Sequence, residues 1–118
     1  MPHITVVGPC RIDSYYEKYA PLTKSDHGAI LKIRACYISH YRNELLIESI
    51  VVEAGRPQTF FVSVSQREGS VLVHLLPLTD PEKTDGVRRL LAAVARQVLA
   101  LQPGCNIGAT NLQTYLED

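Results

Sequence analysis

The stretch LKIRACYISHYRNELLIESIVV, Leu31 to Val52, decides how the chain folds. Two runs rich in β-branched and aromatic residues flank the polar break SHYRN, which is the pattern of two strands joined by a short loop. Side chains alternate between the faces of a strand, so the pairing register sets which residues meet the core. Pairing Ser39 with Glu44 opposes Tyr37 to Leu46, Ala35 to Glu48, Ile33 to Ile50 and Leu31 to Val52. That face is apolar except for Glu48 and is the expected core side. The other face holds Lys32, Arg34, Cys36 and Ile38, and across from them Leu45, Ile47, Ser49 and Val51.

This second face is mixed rather than polar, and a single helix cannot cover both sides of a sheet. It is therefore expected to be a contact surface, with Lys32 and Arg34 as a basic rim around Cys36, Ile38, Leu45 and Ile47. The chain's own tail and a small anion are the competing occupants. Most soluble homo-oligomers use a two-fold axis, which lets one patch pair with itself, so a homodimer is expected. An unidentified protein partner fits the same surface. On this reading, Ile38→Glu or Ile47→Glu yields a soluble monomer.

Upstream, HITVVGP reads as a strand from His3 to Val7, whose place in the sheet the sequence leaves open. DSYYEKYAPL reads as a short helix: Ser14 and Glu17 have capping-box spacing, Tyr15, Tyr19 and Leu22 share a face, and Pro21 stops the turn. TKSDHG reads as a polar loop.

Downstream, TFFVSVS and SVLVHLL flank QREG as a second hairpin. Setting Ser65 against Ser70 gathers Phe60, Val62, Val64, Val71, Val73 and Leu75 on one apolar face. A long helix follows, with Val87, Leu90, Leu91, Val94, Val98 and Leu101 in one stripe and Pro103-Gly104 as its stop. Thr79 and Glu82 can cap its start. Gly86 costs about 1 kcal/mol against Ala inside a helix, so it implies either close packing or a start at Thr84. The tail, residues 104–118, carries Ile107, Leu112, Tyr115 and Leu116, enough to dock on its own subunit or on a second one. The expected fold is α+β: a two-layer sandwich of an antiparallel sheet of about five strands, built from two consecutive hairpins and packed by one long C-terminal helix, with a short N-terminal helix and an ordered tail.

Composition narrows function more than it names it. The 118 residues fit one domain, and 46% hydrophobic with 20% charged is ordinary globular usage. Twelve basic and twelve acidic residues balance to zero, whereas proteins that grip nucleic acid usually carry an excess of Lys and Arg. Arg88, Arg89 and Arg96 give only a diluted basic helix face. No apolar run approaches the ~20 residues needed to span a bilayer, and the first residues lack the basic and apolar regions of a leader. Cys10, Cys36 and Cys105 cannot all pair within one chain and read as free thiols of a reducing compartment, so a cytoplasmic protein is expected.

Catalytic constellations are thin. His74 lies near Ser63 and Ser65, but no acid is placed to orient the imidazole and no nucleophile-elbow motif is present. His3, His27, His40 and His74 are isolated in sequence, which predicts no metal site, and no Gly-rich phosphate loop suggests a nucleotide cofactor. Glu48 on an apolar face is the one carboxylate whose setting could raise its pKa, unless an Arg or Lys pairs with it, a bulge turns it outward or the register differs. The alternative to a non-enzymatic interaction module is thus a ligand-binding protein or small enzyme with a pocket between sheet and helix, lined by Tyr15, Tyr37, Glu48 and Arg34.

Overall fold

Five consecutive strands turn back on one another, and most of the reversals are marked by residues with positive φ. The computed structural model describes residues 1–117. In chain order it has β1 (His3–Val7), α1 (Ile12–Lys18), β2 (Leu22–Asp26), β3 (Ala29–Ile38), β4 (Glu44–Glu53), β5 (Arg56–Arg67) and β6 (Ser70–Leu75). A 3₁₀ turn (Pro77–Thr79), α2 (Asp85–Leu101), β7 (Asn106–Thr110) and α3 (Gln113–Glu117) complete it. His27-Gly28 and Ala54-Gly55 form two-residue hairpin loops with φ of 49° and 85°, and 51° and 76°. Two successive positive φ values give a turn whose twist matches that of the flanking strands.

The sheet is antiparallel with seven strands, not five, in the order β2-β3-β4-β5-β6-β1-β7. The first strand is an inner one, next to the β7 edge: His3 pairs with His74 on one side and Val6 with Ile107 on the other. The tail therefore adds β7 within its own chain. The two strands beyond the expected five lie at the two edges. β2 (LTKSD) and β7 (NIGAT) lack the apolar alternation of an inner strand; besides backbone pairing, Asp26 lies 3.8 Å from Arg89 and Ile107 packs against the core.

α2 lies against the inner face of this curled sheet, touching β1, β3, β4 and β6. Val87, Leu90, Leu91, Val94 and Val98 are buried there with Ile4, Val6, Phe60, Val62, Val64, Val71, Val73 and Leu75. Thr84, not Thr79, caps the helix by accepting from the Val87 N–H at 3.3 Å. Glu53, at the end of β4, places its carboxylate at the same helix end. It accepts from the Gly86 N–H at 2.9 Å and from the Thr84 hydroxyl at 2.5 Å, and a negative charge is favoured at a helix N-terminus. Gly86 serves both purposes named from sequence. It sits in the first turn, and a Cβ there would come within 2.6 Å of both Val51 Cγ1 and Glu53 Cδ.

The second hairpin keeps its expected faces in a different register. Val62 opposes Leu75, Val64 opposes Val73 and Arg67 opposes Ser70, so the loop is Glu68-Gly69. The register differs from the expected one by two residues per pair, and a shift of two preserves every face.

The first hairpin does not. Near its loop the expected register holds, with Tyr37 opposite Leu46 and Cys36 opposite Ile47. A bulge then sets Arg34 and Ala35 against the single residue Glu48, and Ile33 opposes Ser49 rather than Ile50. The Tyr19 hydroxyl donates to the Arg34 carbonyl at 2.6 Å, satisfying a carbonyl at the bulge. α1 starts at Ile12 rather than Ser14 and wedges Tyr15 beneath this region, where its hydroxyl meets Gln97 Oε1 at 2.5 Å. Tyr15 and Tyr19 stack edge to face at 5.9 Å.

Candidate functional site

The bulge redistributes the residues expected on the contact surface. Leu31 and Ile33 point inward as expected, but beyond the bulge the inward positions of β3 become Cys36 and Ile38. On β4 the inward set is Leu45, Ile47, Ser49 and Val51, each 0% exposed. Leu45 and Ile47 are thus core residues and not a surface, and Cys36 and Ile38 pack partly buried against that core. Of the six residues expected on the contact surface, only Lys32 and Arg34 face outward. The choice of face follows from the polar residue in the middle of β4. Burying Ser49 is cheap because its hydroxyl donates locally to the Ile47 carbonyl at 3.0 Å, whereas burying the Glu48 carboxylate would not be.

The outer face is built from the complementary positions: Ile30, Lys32, Arg34 and Tyr37 on β3, Glu44, Leu46, Glu48, Ile50 and Val52 on β4, and Phe61, Ser63 and Ser65 on β5. Tyr37 and Ile30 are exposed, at 54% and 41%. Leu46, Ile50, Val52 and Phe61 are half-buried, and the Tyr37 and Phe61 rings lie 6.4 Å apart. α1 and α2 occupy the inner side, and α3 packs on α2. At the Phe61 edge of the outer face, the 3₁₀ turn is fastened by the Phe61 N–H donating to the Thr79 hydroxyl at 3.0 Å.

Of the pocket residues named from sequence, only Arg34 and Glu48 are brought together. Tyr15 is buried on the inner side, while Tyr37 and Glu48 lie outside. Glu48 is not enclosed; it sits 3.7 Å from Arg34 Nε as a partly exposed pair. The space between sheet and helix, where a pocket was expected, is filled by Tyr15, Phe60, Leu90, Leu91 and Val94. A surface cleft of about 530 Å³ lies instead on the outer side at the bulge, lined by Pro21, Thr23, Lys32, Ile33, Arg34, Ala35 and Glu48.

A polar chain crosses the outer face beside the apolar residues, and it does contain an acid. The Ser63 hydroxyl donates to Glu44 Oε2 at 2.6 Å and lies 3.2 Å from Ser65 Oγ, which is 3.3 Å from His74 Nε2. Ser65 opposes Glu44, and Ser63 opposes His74, in the strand registers. The order of partners differs from a hydrolytic triad. The carboxylate accepts from the serines, and His74 Nδ1 faces the Leu75 carbonyl at 3.1 Å. Ser63 is fully buried, so its hydroxyl is closed to a substrate. These hydrogen bonds satisfy the polar groups of the outer face among themselves. Sequence reading missed Glu44 because it joins this group only across the β4–β5 pairing.

Lys32, Arg34, His40 and Arg42, the basic residues of this hairpin that could hold an anion, do not all converge: His40 and Arg42 lie in the β3–β4 loop, away from Lys32. Among the described residues, no three of His, Cys, Asp and Glu converge as a metal site, and no helix is long and apolar enough to cross a membrane. No family model, curated protein or solved structure matches this chain.

Proposed function

We propose that this chain is a non-enzymatic interaction module that works as a homodimer through the outer face of its sheet. The observation that carries the reading is the row Tyr37, Leu46, Ile50, Val52 and Phe61. These are core-type side chains standing on the side of the sheet opposite α1 and α2. Charge supports a second copy as the occupant. Lys32 and Arg34 share the face with Glu44 and Glu48, so a two-fold axis would set cations of one copy against carboxylates of the other. The central polar chain is internally hydrogen-bonded, which lowers the cost of covering it.

The test is light scattering coupled to size-exclusion chromatography on the wild type and on Ile50→Glu and Phe61→Glu. The expected result is a wild-type dimer and folded, monomeric variants with unchanged far-UV circular dichroism. A monomeric wild type at high concentration would sink the proposal. A second reading, a protein that binds a small anionic or zwitterionic ligand, is favoured by the cleft at the bulge, where Lys32, Arg34 and Glu48 converge. Native mass spectrometry separates the two, since that reading requires a monomer carrying extra mass.

A further inference from the structure

Cys10 lies in the link between β1 and α1, and Cys105 in the link between α2 and β7. They are 95 positions apart in sequence, yet their Sγ atoms are in contact at 2.6 Å. The two links are held together by more than the sulfurs. Gln66 donates from Nε2 to the Cys10 carbonyl at 3.1 Å and accepts from the Ile12 N–H at 2.9 Å. Gln102 accepts from the Arg11 N–H at 3.0 Å through Oε1, and its own carbonyl accepts from the Cys105 N–H at 3.3 Å. Gly8 makes the approach possible: a Cβ there would stand 2.8 Å from the Gly104 carbonyl oxygen. Both backbones are thus fixed with the two side chains facing each other. Cys36 is elsewhere, on β3 against the tyrosines of α1.

We infer that Cys10 and Cys105 form a redox-active dithiol, which a small-molecule disulfide of the glutathione class converts to an intramolecular cross-link between the two ends of the fold. Cys10 is only 3% exposed, while Cys105 is half-buried, so the reaction starts at Cys105. Burial, and then the neighbouring Cys105, push the Cys10 thiol up to about 12, which also disfavours it as the first attacker. The Cys105 thiolate attacks one sulfur of glutathione disulfide. A protein–glutathione disulfide forms and one glutathione thiolate leaves. Cys10 then gives its proton to solvent and attacks the Cys105 sulfur, and the second glutathione leaves. Two protein thiols are oxidised and one glutathione disulfide is reduced to two glutathione molecules. The bond closes a loop covering most of the chain, the case in which restriction of the unfolded state is greatest in the chain-entropy account. In a reducing compartment the pair stays open, so the cross-link reports a shift in thiol–disulfide poise.

The experiment is to reduce the full chain, remove the reductant, add glutathione disulfide, and follow intact mass, peptide map and thermal unfolding. The expected product is lighter by two hydrogens and carries no glutathione. It yields a linked peptide pair containing Cys10 and Cys105, leaves one thiol open to maleimide after denaturation, and melts several degrees higher until dithiothreitol is added. Cys36→Ser should behave in the same way, with no thiol left over. Cys10→Ser should stop at a stable glutathione adduct on Cys105. A wild type or Cys36→Ser protein that keeps both thiols, that stops at the adduct, or a wild type that forms a link to Cys36, would overturn the inference.

Discussion

Leu45 and Leu46 are neighbours in sequence and end on opposite sides of the same sheet. Leu45 is fully buried among the residues that receive α2, whereas Leu46 stands half-buried on the outer face beside Tyr37. The whole of β4 divides this way, Leu45, Ile47 and Val51 inward against Leu46, Ile50 and Val52 outward. The two sets differ little in hydrophobicity. What separates them is the residue between: Ser49 in the inner row, Glu48 in the outer. One polar side chain that can be satisfied by its own backbone decides which apolar row the helix covers, and the row left over stands half-buried on the outer face.

The sharpest way to break this comparison is to place a charge in each row. Ile47→Glu buries an unpaired carboxylate and should cost more than about 4 kcal/mol, enough to unfold much of a domain of ordinary stability. Far-UV circular dichroism would show that loss, while Ile50→Glu should leave the signal unchanged. If Ile47→Glu stays folded and Ile50→Glu does not, the faces are inverted. A gentler version truncates the neighbours. Leu45→Ala should cost about 2–5 kcal/mol by urea denaturation, and Leu46→Ala about 1 kcal/mol or less in the monomer. Equal costs would mean that the outer row is as well packed as the inner.

Gly86→Ala tests how closely α2 sits on the inner row. The added methyl should gain about 1 kcal/mol of helix propensity but lose about 1–3 kcal/mol to its clash with Val51 and the Glu53 side chain, for a net lower melting midpoint. A higher midpoint would show that the helix can lift away at no cost. The smallest effect expected is that of Tyr19→Phe, which removes one hydrogen bond to the bulge carbonyl and should cost about 0.5–1.5 kcal/mol. Amide exchange concentrated at Ala35 and Cys36 in this variant would locate the loss at the bulge, and uniform exchange would count against it.

The parts of the fold that were legible share one property: their signal is local. The stripe of α2 repeats within each turn, and the alternation of Phe60, Val62 and Val64 with Val71, Val73 and Leu75 survives even the shift of two in their pairing. The first hairpin was misread because one extra residue reverses parity, and the hint was present but faint. Leu31 and Ile33 are inward at odd positions, whereas Ile38 is inward at an even one, a change of phase that a bulge explains. The apolar character of the uncovered face was legible as a property, an excess of apolar residues over what one helix can cover, but not as a set of residues. The four-residue polar chain was half legible: Ser63, Ser65 and His74 share one hairpin, while Glu44 arrives from the next strand over.

By itself the sequence determined an α+β chain with a long amphipathic helix, an antiparallel sheet and more apolar surface than that helix can bury. These follow from periodicity and composition, which any short window displays. Only the tertiary structure decided which side of β4 is core, that β1 lies between β6 and β7, and that Cys10 meets Cys105. Each of these depends on contacts between segments far apart in the chain. The bulge is held by the tyrosine that follows α1, the first strand is paired by residues near the C-terminal end, and the sulfurs meet because two glutamines fix the links that carry them. Such choices turn on free-energy differences between whole packings of the chain, and no local pattern records them.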